Sequence, residues 1–87
     1  MSSISPMIYS VETKNLVGTR VRQARHNAKP LITQLDLVAR LQVLGMIIDQ
    51  SGVSKIESGH RPVLDSEVVA LAKALKVSAE WLLEGDK

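Results

Sequence analysis

The chain has 87 residues, a formal net charge of +2, no cysteine, and Tyr9 and Trp81 as its sole aromatics, which is the size of one domain. Without cysteine there are no disulfide staples or thiolate zinc sites, and so few aromatics argue against base-stacking single-strand or RNA-binding modules. No stretch approaches the roughly 20 apolar residues of a membrane span, and the N-terminus, with no basic residue before Lys14, reads as neither signal nor transit peptide, so a soluble, cytoplasmic protein is expected.

Residues 1–13 are rich in serine and show no period, and they read as a flexible N-terminal arm; residues 14–87 read as the folded domain. From Lys14 the pattern becomes helical. Leu16, Val17, Val21, Ala24 and Ala28 follow 3.6-residue spacing, with Arg20, Arg22, Arg25 and Lys29 on the other sides. Pro30 stops this helix near Asn27 or Ala28. Thr33 is a good N-cap, with Asp36 close to the positive end of the next helix dipole. Leu37, Val38, Leu41 and Leu44 form that helix's apolar stripe, and Gly45 can end it in a left-handed conformation. Met46, Ile47 and Ile48 then make a short apolar connector, and Asp49 is the next capping residue. Further on, Pro62 and Asp65 mark a turn and a cap. Val68, Leu71, Ala72 and Leu75 line a fourth helix, and Ser78 caps a last one that carries Trp81 and Leu82 and is closed by Gly85. Five helices without a strand pattern make the fold all-α.

Residues 48–61, IDQSGVSKIESGHR, decide most of the function. As a loop the stretch would leave Val53 and Ile56 without a reason to be apolar. With Ser54 as N-cap and Glu57 as its capping-box partner, only about four helical residues would precede Gly59. The third reading is preferred: Asp49 caps a helix from Gln50 to Ser58. At about 100° per residue, Gly52, Val53 and Ile56 then share one side, and Gln50, Ser51, Ser54, Lys55 and Ser58 take the opposite arc. Gly52, which costs roughly 1 kcal/mol against alanine inside a helix, either admits a close neighbour or marks a marginal helix. A merely solvated face usually carries Glu and Lys. This outer arc is short and polar instead: glutamine can bridge an adenine edge, serine can donate or accept, and lysine reaches guanine or phosphate.

These residues resemble a known family. The run from Thr33 and Gln34 through Leu37, Val38, Ala39, Arg40 and Leu41, followed by VSKIESGHRP at 53–62, looks like the Cro/repressor type of helix-turn-helix domain (XRE, lambda-repressor-like). The tail LAKALKVSAEWLL at 71–83 is similar to that family's ending. The resemblance covers about residues 15–84 and implies a compact five-helix domain that binds double-stranded DNA. By position it implies that Gln34 grips a phosphate, and that Gln50, Ser51, Ser54 and Lys55 lie on the recognition helix, which reads the major groove. It further implies backbone contacts from His60 and Arg61, and a structural ion pair between Arg25 and Glu57. One departure stands out. Gln42 to Ile48 makes the stretch between the second and third helices longer than usual, so this is similar to a lengthened-turn subtype. Either the second helix is extended or the turn is a larger loop closed by Met46–Ile48.

Residues 1–61 carry eight Lys/Arg against four Asp/Glu, and residues 62–87 three against five. A basic front half suits a polyanion, and Arg20, Arg22, Arg25 and Lys29 with Lys55 and Arg61 read as a phosphate-facing rim. His26 and His60 lack companions at metal-ligand spacing, so no metal or other cofactor is expected. No nucleophile elbow or Ser–His–acid pattern appears, so no enzyme activity is expected. Trp81 reads as core filling or a dimer contact. The expected function is sequence-specific binding of double-stranded DNA as a transcriptional regulator, a repressor by occupancy, acting as a homodimer through the last helix or the arm. The alternative is an antitoxin or other protein-interaction module on the same scaffold, with a protein partner and DNA binding secondary.

Overall fold

A computed structural model describes residues 11–84. The described residues form five helices and no strand: α1 (Val11–Asn27), α2 (Gln34–Val43), α3 (Gln50–Ser58), α4 (Asp65–Leu75) and α5 (Ala79–Glu84). Most of the expected arm, residues 1–10, lies outside the described residues, as does Gly85. Val11 to Thr13 already belong to α1, so the helix begins before Lys14.

Each helix boundary has a local chemical cause. α1 ends at Asn27, three residues ahead of Pro30, whose ring disfavours a helical residue before it. Thr33 caps α2 reciprocally: its hydroxyl accepts from the Asp36 N–H at 3.0 Å, and the Asp36 carboxylate accepts from the Thr33 N–H at 3.0 Å. The Thr33 backbone N–H, then its hydroxyl, hold the Asp36 carboxyl below the ordinary aspartate range, and Arg40 adds to the effect. At the other end of α2 the Met46 N–H bonds to the Leu41 carbonyl and the Gly45 N–H to that of Gln42, with Gly45 at φ 92°. That is a Schellman closure, which needs a residue free of a Cβ penalty. The second helix is therefore not extended; residues 44–49 form the longer loop.

Asp49 caps α3 by accepting from the Gly52 N–H at 2.8 Å, and Gly59, left-handed at φ 81°, ends it. Two expectations need correction. α4 begins at Asp65 itself, and Leu64 is the N-cap, its N–H donating to Glu67 at 3.1 Å. The capping acid is Glu67, because a three-residue reach from Leu64 places it where Asp65 cannot fold back. Leu44, counted in the α2 stripe, is 44% exposed, since the chain leaves the helix at that residue. Ser78 caps α5, its hydroxyl accepting from the Trp81 N–H at 3.0 Å.

The core is one aliphatic cluster: Val17 and Val21 from α1, Leu37 and Leu41 from α2, Val53 and Ile56 from α3, Val68 and Leu71 from α4, and Leu82 from α5, each no more than 2% exposed. α1 packs on α3 and α5, and α2 packs on α3 and α4. α1 and α3 approach closely at Gly18, where an added Cβ would sit 2.1 Å from the Ile56 carbonyl oxygen. Gly52 has a different cause: the space a Cβ would need there is filled by the Ile48 side chain of the connector. Trp81 is half-buried against the core, with the Arg20 guanidinium 5.3 Å from its ring centroid.

Candidate nucleic-acid interface

α3 is the centre of the site. Its inward residues Val53 and Ile56 are each 1% exposed, which fixes its rotation, so Gln50, Ser51, Ser54, Lys55 and Ser58 all face solvent. Asp49 and Gly59 define its ends, leaving a helix of two and a half turns with short outward side chains. Short side chains let a helix axis approach a groove floor closely.

Behind this face lies a polar chain of contacts. Arg25 donates to Glu57 through Nε at 2.6 Å and Nη2 at 2.9 Å, and through Nη1 to the Ile32 carbonyl at 3.0 Å. Gln34 donates through Nε2 to the same Glu57 carboxylate at 3.2 Å, and the Gln50 amide donates to Gln34 Oε1 at 3.3 Å. A buried guanidinium thus holds a carboxylate, the carboxylate orients one glutamine, and that glutamine orients the first residue of α3. Arg25 and Glu57 satisfy each other's charge while nearly shielded from water, as buried ions must.

Arg22, His26, Gln34, Ser54 and Ser58 surround this pair and line a polar cleft between α1 and α3. Arg22 is exposed there. His60 is exposed just past α3, its Nδ1 2.7 Å from the Ser58 hydroxyl. Arg61 is half-buried and bound by Glu67 through two bonds of 3.1 and 3.0 Å. Burial pushes the Glu67 carboxyl up, but the Arg61 hydrogen bonds and charge and the Leu64 N–H outweigh it, holding the group below the usual glutamate range. Lys29 is not brought to the cleft; it lines a separate depression with Pro30, Ile32, Arg40, Leu75 and Lys76.

The basic rim is smaller than the α1 pattern suggests. Arg20 turns to Trp81 and Arg25 turns inward to Glu57, so of the four cations from α1 and its end only Arg22 lines the cleft from the solvent side. Two site-shaping residues escaped the sequence reading. Glu67 neutralises Arg61 across a turn, a pairing that no helical spacing reveals. Gly18 sets the distance between α1 and α3; a glycine inside an otherwise regular apolar pattern is the available signal.

Comparison with known proteins agrees with this fold. A helix-turn-helix family model matches residues 32–82. The HTH-type transcriptional regulator DicA of Escherichia coli (strain K12) is 37% identical over 78 residues, covering 88% of this chain and 53% of DicA. The chain therefore spans about half the length of that relative. The P22 c2 repressor protein, solved in complex with a synthetic operator, superposes with a TM-score of 0.66 at 28% identity, over 80% of this chain and 96% of that one. The restriction-modification controller protein C.AhdI from Aeromonas hydrophila gives a TM-score of 0.63 at 29% identity, over 78% and 92%. The hypothetical transcription factor NHTF from Neisseria shares the fold, with a TM-score of 0.69 at 22% identity over 94% and 86%.

Proposed function

Because the chain belongs to the helix-turn-helix family, of the Cro/repressor type, we propose that it is a sequence-specific double-stranded DNA-binding transcriptional regulator, acting in the cytoplasm as a repressor by occupancy. The observation that carries this reading is the outer arc of α3. It presents exposed Gln50, Ser51, Ser54 and Lys55 on a helix whose first side chain is braced from behind by Gln34 and the Arg25–Glu57 pair. In the proposed complex α3 lies in a major groove and Gln50, Ser51 and Ser54 address base edges. Gln34, Lys55, Arg22 and His60 hold the phosphate backbone, with Arg61 joining once freed from Glu67 and Lys29 at the periphery. A homodimer would double the interface and set half-sites about 34 Å apart. The solved complex of the P22 c2 repressor with its operator is consistent with this use of the scaffold.

Selection of binding sites from a random duplex pool, followed by titration of variants, tests the reading. Lys55→Glu should weaken binding on every sequence and lower the salt slope by about 1; Gln50→Ala should cost about 1–3 kcal/mol on the selected site and little elsewhere. Unchanged affinity in both variants would sink the assignment of the reading face.

A second reading, a protein-interaction module such as an antitoxin with DNA binding secondary, is favoured by exposed apolar side chains on α2, with Leu35 61% and Val43 86% exposed.

A further inference from the structure

The long connection between α2 and α3 builds a surface of its own. Val43 is 86% exposed, Ile47 77% and Leu44 44%, three large aliphatics within five residues. Single exposed aliphatics are ordinary, but a run of them is not. Val43 and Leu44 line a shallow open groove together with Arg40 of α2, Lys73 and Ala74 of α4, and Lys76, which caps α4. Arg40 and Lys76 also border the adjoining depression, which adds Lys29. Neither hollow is lined by an aspartate or glutamate among the described residues. Arg40 is anchored by donating to the Ala74 carbonyl at 3.0 Å. Lys73 and Lys76 have no ion-pair partner among the described residues.

The position of the groove matters as much as its chemistry. Val43 follows Gln34 by nine residues, about 180° around α2 at roughly 100° per residue. The groove therefore opens on the side of α2 opposite the polar cleft, and filling it leaves the outer arc of α3 free. A second copy is a poor occupant, because a two-fold contact would set Arg40, Lys73 and Lys76 against their own images. Duplex DNA would use the cations and leave Val43 and Leu44 with nothing to bury them.

We propose that this groove docks an acidic, amphipathic segment of a partner protein, its apolar side chains on Val43 and Leu44 and its carboxylates on Lys73 and Lys76. The proposal is independent of DNA reading by α3.

Fluorescence anisotropy on the full chain tests it, using a labelled synthetic helix with leucines at i, i+3, i+4 and i+7 spacing and glutamates elsewhere. Its counterpart with lysines in place of the glutamates is the control. The glutamate helix should bind, more weakly as salt rises, and the lysine helix should not. Lys73→Glu should lower the affinity about 10-fold, and Val43→Ser should lower it several-fold. Both positions are exposed, and circular dichroism verifies that the variants fold. Absent binding, equal binding of the two helices, or unchanged affinity in Lys73→Glu overturns the proposal. So does a self-association that Val43→Ser abolishes, which gives the face to a second copy, or a loss of duplex affinity in Lys73→Glu, which gives it to DNA.

Discussion

Arg25 of α1 and Glu57 of α3 meet through two hydrogen bonds, 2.6 and 2.9 Å, with side chains 7% and 6% exposed. Removing one partner strands a charge away from water, so Arg25→Met or Glu57→Met alone should cost about 3–5 kcal/mol in urea unfolding. The double substitution should cost less than either single change, because two apolar side chains can pack where one orphaned ion cannot. A double-mutant cycle measures the coupling, and a strictly additive result would refute it.

Gly18 and Gly52 should respond oppositely in scale to the same methyl group. At Gly18 the new Cβ would collide with the backbone carbonyl of Ile56 at 2.1 Å, which moves only if α1 and α3 separate. Gly18→Ala should therefore lose about 3 kcal/mol or more. At Gly52 the Cβ meets the Ile48 side chain, which can change rotamer, and the helix gains roughly 1 kcal/mol of propensity. Thermal melts of both variants should show Gly52→Ala far nearer to the parent.

Lys76 terminates α4 with φ 60°, ψ 42°, a left-handed conformation that a side chain disfavours. Lys76→Gly should raise stability by about 0.5–1 kcal/mol, read as an upward shift of the melting temperature.

Glu67 joins stability to pH. Its carboxyl lies below the ordinary 4.5 in the folded state, burial raising it and the Arg61 and Leu64 contacts lowering it further. A depressed folded value means the stabilisation is complete above pH ~4.5 and drains away as acid titrates the group at lower pH. Glu67→Gln should remove that acid-limb dependence, measured as unfolding free energy against pH. The same substitution frees the Arg61 guanidinium from its carboxylate. On the proposed DNA reading it should raise duplex affinity and steepen the salt dependence by about 1.

The helices and their caps were legible because they rest on local chemistry. Thr33 and Asp36, Asp49, Gly59 and Ser78 each act on backbone groups within a few residues, and the 3.6-residue period of Val17, Val21, Val53 and Ile56 reports one buried side. What pattern alone missed is long-range. Arg20 and Lys29 look like further members of the Arg22 face in the chain, yet one settles on Trp81, sixty-one positions away, and the other beside Lys76. Glu67, an acid in the first turn of α4, is also the counter-ion of Arg61, a pairing set by the turn between them and not by helical spacing. The Gln34–Gln50 contact joins two helices across the long loop, and no spacing rule encodes it.

The missing methyl at Gly18 has a wider effect. Since α3 is seated by its main chain against α1 and by two aliphatic side chains, Ser51, Ser54 and Lys55 have no duty in holding the domain together. On the proposed DNA reading, those three positions are open to rewriting without unseating the scaffold, so a lineage could change its preferred target site through a handful of substitutions while its melting temperature stayed put.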